Sequence, residues 1–170
     1  TEDCEADDWI AGYAARYGKT MEVVISSQDS DFFQLIGDRV RILRYRGKQS
    51  VLCDRAYLRQ KLNIQPEQYA DFKAMTGDTA DNIRGADQIG PKTAAALLAQ
   101  FGTLEGIFQN VESIKKPSVR ASIQSGQARL RLNQLLIRLA GTEDLPFSLE
   151  QLVFRDAGLT TTQILQNIGI

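Results

Sequence analysis

Seven carboxylates in three short clusters dominate the chemistry available to this chain: Glu5, Asp7 and Asp8, then Asp29 and Asp31, then Asp78 and Asp81. Brought together, such groups repel and lose hydration, so a fold that gathers them does so around hard cations such as magnesium or manganese. The last cluster runs straight into Arg84-Gly85-Ala86-Asp87-Gln88-Ile89-Gly90-Pro91-Lys92-Thr93, a glycine-bearing turn suited to gripping a phosphate backbone. Cations that activate water, beside a separate surface that holds a strand in register, are the parts metal-assisted phosphodiester hydrolysis requires.

Each cluster also has an ordinary explanation. Glu5, Asp7 and Asp8 suit the first turn of a helix, where N–H groups and the dipole favour negative charge. Asp29 and Asp31 suit a turn before a helix, and Asp78 and Asp81 suit Asx turns. All three clusters, however, lie at element ends. Period two sends Asp29 and Asp31 to one side of an extended backbone, and i, i+3 spacing lets Asp78 and Asp81 share a helical face. Asp7 fits less well, because an ideal helix turns it roughly 200° from Glu5 unless the helix starts about there.

The turn has its own mechanics. Gly90 permits positive φ or close approach of the backbone, and Pro91 presets the first helical turn. The following N–H groups face a phosphate, Lys92 adds charge, and such a grip is independent of base sequence.

The elements that must position these residues follow from periodicity. Ile10, Tyr13, Ala14 and Tyr17 mark a helix over 6–17 that stops at Gly18, and 22–26 reads as a short buried strand that places Asp29 and Asp31 beyond its C-terminal end. A helix over 30–36, a strand over 40–45, a turn at Gly47 and an extended piece over 50–53 come next. From there the pattern is helical: 54–62, with Asp54 as N-cap, 66–75, with Pro66 in its first turn, then 91–101, 104–110, 118–125, 127–139 and 160–167. Gly102, Pro117 and Gly126 are read as breaks between them.

Composition sets the bounds. With 170 residues and 43% hydrophobic content, the chain is long enough for a sizeable core in one domain or a large piece of one. The absence of histidine excludes Ser/His triads, His-ligated zinc and imidazole acid-base chemistry. Cys4 and Cys53, widely separated, fit a reduced intracellular setting, so a cytoplasmic location and no membrane association are expected. The net charge of -1 hides local basic groups, Arg39, Arg41, Arg44, Arg46 and Lys48, and Lys115, Lys116, Arg120, Arg129, Arg131 and Arg138, which are either polyanion-steering patches or solvated faces.

The segments Glu5-Ala6-Asp7-Asp8, Asp29-Ser30-Asp31-Phe32-Phe33-Gln34-Leu35, Thr76-Gly77-Asp78-Thr79-Ala80-Asp81-Asn82 and Gly85 to Ala94 resemble, in order and spacing, the signatures of the 5'-3' exonuclease domain of bacterial DNA polymerase I, within the flap endonuclease superfamily. The resemblance runs from about Glu2 to Leu145. It implies that Glu5 and Asp7 serve one metal, that Asp29, Asp31 and Asp78 serve another, and that Asp8 and Asp81 stand close by. It also implies a helix-hairpin-helix at about 78–102 that grips duplex DNA through Arg84, Gly85, Gln88, Gly90, Lys92 and Thr93, with K+ under loop carbonyls.

Two departures qualify it. Gln88 stands where the family pattern has a third glycine, and Arg84 where it has proline. The chain also begins at the second family motif, without the upstream aspartates and basic arch, so it is expected to be a C-terminal portion of a stand-alone nuclease or of a fragment of one. The segment from Phe147 to Ile170 resembles nothing known to us.

The expected fold is α/β, a partial parallel sheet with flanking helices followed by an all-helical region. Residues 1–76 would be the remainder of a PIN-like nuclease core and 77–170 the helical region of the same structural domain. The expected function is two-metal hydrolysis of DNA at 5' flaps, ends or nicks, by a fragment lacking part of its active site. The alternatives are a non-catalytic, sequence-independent duplex-binding module and an RNA-cutting PIN relative.

Overall fold

The computed structural model describes residues 5–141, 144–154 and 158–167; Cys4 lies outside them. Helix α1 (Ala6–Tyr17) leads into strand β1 (Val23–Ser26), a 3-10 turn (Asp31–Leu35), β2 (Val40–Arg44) and β3 (Val51–Cys53). Then come α2 (Arg55–Leu62), a 3-10 turn at Pro66–Gln68, α3 (Tyr69–Thr76), α4 (Pro91–Phe101), α5 (Leu104–Gln109), a 3-10 turn at Val111–Ser113, α6 (Pro117–Ile137) and α7 (Thr161–Asn167).

The sheet is mixed. β1 pairs parallel with β2, as expected, but β2 and β3 are antiparallel, with Ile42 opposite Cys53 and Arg44 opposite Val51. The short turn around Gly47, which has φ +55, leaves no other choice, since a parallel return needs a long crossover. Ile42 and Cys53 are fully buried on the face that meets the helices.

Three helix expectations need correction. Residues 30–36 form a 3-10 turn and not an α-helix, because the segment is short and begins on an Asx turn in which Asp29 Oδ1 accepts the Asp31 N–H at 2.9 Å. The turn buries Phe32 and Phe33, and Phe33 meets Tyr69 edge-on with centroids 5.6 Å apart. The helix expected over 66–75 is a 3-10 turn that passes into α3 at Tyr69, joined by a capping box between Gln65 and Gln68. Lastly, Gly126 does not break a helix: α6 runs unbroken through it for 21 residues. Its buried stripe, Val119, Ile123, Gly126, Leu130, Asn133 and Ile137, keeps helical spacing across the glycine, and packing on α3 outweighs a propensity cost of about 1 kcal/mol. Asp54 caps α2 as expected, its Oδ1 accepting the Tyr57 N–H at 2.8 Å.

One buried cluster runs from Ala14 and Ile25 in the α/β half through Phe72 and Met75 to Leu130 and Ile137 in α6, so the sheet and the helices share a core. Three polar residues are buried, Asp71, Asp78 and Asn133, and the first and last of them tie the helices together. Asp71 of α3 accepts the Leu104 N–H that opens α5, at 2.8 Å, and also bonds Gln134 of α6. Asn133 of α6 donates to the carbonyls of Ala74, at 3.0 Å, and Arg84, at 2.8 Å. The segment after α6 returns to α1: Asp8 Oδ1 accepts the Ala140 N–H at 3.2 Å, and the Tyr13 hydroxyl donates to the Phe147 carbonyl at 2.8 Å.

Asn133→Leu should keep the helix and remove both donors, leaving two carbonyls unpaired; a loss of about 2 to 4 kcal/mol is expected in urea unfolding at unchanged m. A loss below 0.5 kcal/mol would show that water replaces Asn133 at both carbonyls.

Candidate metal centre and its flanking loop

α3 ends at Gly77, whose φ of +83 and ψ of 169 turn the chain back on the helix. A Cβ there would lie 2.7 Å from the Gly85 nitrogen and the Ile83 oxygen, so only glycine fits. The reversal is locked by two backbone bonds, Asp78 N–H to Ile83 O at 2.8 Å and Ile83 N–H to Asp78 O at 2.7 Å. Gly85 then packs on the end of α3, where a Cβ would stand 2.4 Å from the Met75 carbonyl. The Asp78–Ile83 turn is therefore fixed to the core on both sides.

This turn carries the acidic site. One carboxylate oxygen from each of Asp31, Asp78 and Asp81 lies within 4.8 Å of the other two. Two ligands on one ion with ~2 Å bonds can be at most about 4 Å apart, so small side-chain adjustments close the group onto one cation. Asp29 stands beside it with Oδ1 engaged by the Asp31 N–H. Asp7 reaches the same region from α1: burial first, then the charges of Asp29, Glu5 and Asp8, push its carboxyl above the usual range. The three clusters of the sequence thus converge, but only Asp31, Asp78 and Asp81 form a ligand-spaced group among the described residues. Asp8 also ties α1 to Ala140.

The two best-placed carboxylates differ in surroundings. Asp31 Oδ1 is buried without a hydrogen-bond partner. Burial, reinforced by Asp29 and opposed by Lys73, pushes the Asp31 carboxyl up to about 6. Burial acts on Asp78 in the same direction, but the bond from Lys73 and the N–H groups of Ala80 and Asp81 outweigh it and hold the carboxyl below the usual range. Hard oxygen donors, an unsatisfied buried oxygen and a surplus of negative charge are what a divalent cation requires, so the residues present fit one.

Sequence reasoning missed Lys73, which forms an ion pair with Asp78 Oδ2. It also missed Tyr69, hydrogen-bonded to Ser30 beside Asp31 and shifted upward by burial, and the clamp made by Asn133. For Lys73 a signal existed: a lysine in the last turn of a helix, five positions before the aspartate of a glycine turn.

The loop that follows differs from expectation in detail. Gly90 has φ −88, not positive, and a Cβ there would meet nothing within 4 Å. The left-handed residue is Gln88, with φ +61. Arg84 pairs with Asp87 at 2.8 Å, and both remain exposed. Thr93 donates its N–H to Gly90 O at 3.0 Å and Pro91 has none, so the outward donor of the first α4 turn is that of exposed Lys92. Several members of the basic groups are neutralised at home, Arg41 by Glu22, Arg120 by Glu112 and Arg131 by Glu105. No helix among the described residues is long and apolar enough to cross a membrane.

The family described as 5'-3' exonuclease, N-terminal resolvase-like domain, matches residues 1–63, and that described as 5'-3' exonuclease, C-terminal SAM fold, matches residues 64–159. The chain belongs to the 5'-3' exonuclease family. It carries residues of both domains, which corrects the expectation of a C-terminal portion alone. DNA polymerase I of Treponema pallidum is 40% identical over 148 residues, covering 86% of this chain and 15% of the polymerase. The thermostable DNA polymerase I of Thermus thermophilus is 39% identical over 147 residues, covering 86% of the chain and 17% of the polymerase. The chain thus spans about a sixth of these relatives. Bacteriophage T5 5'-exonuclease, solved with bound zinc, superposes with a TM-score of 0.71 at 26% identity, covering 79% of this chain and 50% of that one. The catalytic core of Rad2 in complex with DNA substrate, at 15% identity and a TM-score of 0.56 over 99% of this chain and 59% of that one, shares the fold.

A carboxyl raised in the folded chain favours the protonated form, so its contribution to stability is present below the unfolded value near 4 and is lost as pH rises through about 6. In EDTA, Asp31→Asn should therefore stabilise the chain at pH 7.5, by about 1 to 2 kcal/mol after discount for a partly solvated site, and by much less at pH 4.5. Equal unfolding midpoints for the two proteins at pH 7.5 would show that the carboxylate is not strained there.

Proposed function

We propose that the parent protein is a divalent-metal-dependent 5' nuclease acting on DNA at 5' flaps, ends or nicked duplex, and that this chain contributes part of its active site. The observation that carries the reading is the ligand-spaced group that Asp31, with its unpaired buried oxygen, forms with Asp78 and Asp81 of the turn that leads directly into the 84–93 loop. Membership of the 5'-3' exonuclease family supports it.

Asp31, Asp78 and Asp81, with Asp29 beside them, would hold one cation; Glu5, Asp7 and Asp8 would face a second from the start of α1. When bound, magnesium or manganese supplies charge neutralisation and an acidified water at neutral pH. The carboxylates would orient that chemistry against the strand, with buried Tyr69 beside Asp31, and the reading needs no covalent nucleophile. Segments 78–102 would act as a helix-hairpin-helix, gripping duplex backbone through the Lys92 amide and ammonium, with Thr93, Gln88 and Arg84 at the rim. Gly85 supports this loop from below, and potassium is the candidate ion for its carbonyls. Division at residue 76 between a PIN-like core and the helical region, and a cytoplasmic setting, belong to the same proposal.

The test is EDTA-sensitive cleavage of labelled 5'-flap DNA by the full-length protein. Asp31→Asn should lower turnover by several orders of magnitude in saturating magnesium while leaving the fold intact; near-normal turnover would remove Asp31 from the metal set and favour a duplex-binding module without catalysis.

The loop has a separate test. Because nothing occupies the space at Gly90, Gly90→Val should leave the unfolding midpoint unchanged yet weaken duplex binding, by blocking backbone approach. Lys92→Ala should weaken binding about equally on all sequences and reduce the salt slope by about one unit. Duplex affinity and salt slope unchanged in both variants would move the DNA-holding surface elsewhere.

A further inference from the structure

Lys73 has no part in the chemistry described so far, yet it occupies the centre of the site. Its side chain is 14% exposed and that of its partner Asp78 is 11% exposed. In the other ion pairs among the described residues, every partner is at least 34% exposed. A pair this deep holds its geometry where a surface pair does not.

Asp78 has no freedom to turn away from it. Its backbone is tied to Ile83 by two bonds, and its Oδ1 accepts the Ala80 N–H at 3.0 Å. Oδ2 is the atom Lys73 holds, and an oxygen of the same carboxylate stands at ligand spacing from Asp31 and Asp81. A divalent cation ligated by the three aspartates would thus compete with the ammonium for Asp78. Held against one carboxylate, the two positive groups repel strongly, because a partly buried site screens them poorly. A lysine suits such an exchange, since its compact charge swings on a four-carbon stem, whereas the planar fork of arginine stays committed.

We propose that Lys73 is a resident placeholder cation and a positioning residue. It holds Asp78 in its ligating orientation and limits carboxylate repulsion while the site is metal-free, and it yields Oδ2 when the divalent ion enters. The proposal rests on the metal-site reading above. Lys73 thereby sets metal affinity below what the carboxylates alone would give, and in return keeps the metal-free site folded.

The experiment is Mn2+ binding by titration calorimetry on the full chain, paired with thermal unfolding in EDTA. Lys73→Met keeps the stem and removes the charge. It should lower the melting temperature in EDTA and bind Mn2+ about tenfold more tightly than the parent. Lys73→Arg should restore most of the metal-free stability and bind Mn2+ no more tightly than the parent. If Lys73→Met does not fold in EDTA, Lys73→Gln, folded first in Mn2+ and then titrated with chelator, gives the same comparison. Mn2+ affinity equal or weaker in the Met or Gln variant, or equal between Met and Arg variants, would overturn the proposal while leaving the metal site standing. No Mn2+ binding by the parent would instead overturn the metal site itself.

Discussion

Carboxylates that repel one another can be gathered only by a scaffold that gains more elsewhere than it loses there, and in this chain that scaffold is α3. Eight residues long, it serves the structure at nearly every position. Tyr69 and Phe72 enter the core, Asp71 joins the start of α5 to α6, and the Ala74 carbonyl takes the Asn133 amide. The carbonyls of Lys73 and Met75 accept Gly77 and Ala86 at 2.8 Å each, closing the reversal that carries Asp78. Burial of α3 against α6, α4 and the 31–35 turn therefore supplies the energy, and the reversal at Gly77 converts it into the position of a charged group. The site is acidic because a buried helix end is rigid enough to bear the repulsion.

The same dependence explains what was legible in the sequence. The order of elements, the caps at Asp54 and Pro91 and the α/β-then-helical layout rest on local periodicity and local turn chemistry, which sequence carries directly. The nearness of Asp78 and Asp81 comes from the Asx-turn reading and not from a shared helical face: no helix forms at 78–81, and Asp78 Oδ1 accepts the Ala80 N–H within the Asp78–Ile83 reversal. What was not legible depends on partners far along the chain. Whether Gly126 breaks a helix is decided by α3, more than fifty positions earlier, which rewards an unbroken stripe. Whether the third strand runs parallel is decided by the length of one hairpin. The role of Lys73 depends on a backbone reversal that brings position 78 back over the helix end, a geometry that neither residue announces alone.

The glycines of the loop show a finer version of this limit. Sequence places three demanding positions in 85–90, and each is met differently. Gly85 is required by the backbone beneath it, and Gly90 by nothing within the fold, while Gln88 takes the left-handed conformation that a glycine would adopt at little cost. Composition identifies a tight turn; it does not say which residue bears the strain, because φ is set by how the turn closes on α3 and α4.

Departures from local preference are not scattered through this chain. Of the three non-glycine residues with positive φ among the described residues, Asn63 is an ordinary left-handed helix cap, and the other two, Asn82 and Gln88, lie between Asp78 and Gly90. Beside the same stretch stand a buried carboxylate oxygen without a partner, three ligand-spaced aspartates and the most buried ion pair described. Each feature costs free energy taken alone, and a sequence under selection for stability only would disperse them. Their collection around one rigid turn, between the end of α3 and the 31–35 segment, supports the proposed role of this turn in binding charge from outside the chain. Left-handed residues at 82 and 88 fall on either side of the segment that connects the acidic group to the N-terminal end of α4, and the Asp78–Ile83 backbone bonds and the Asn133 bond to the Arg84 carbonyl are what hold that segment in fixed relation to the core.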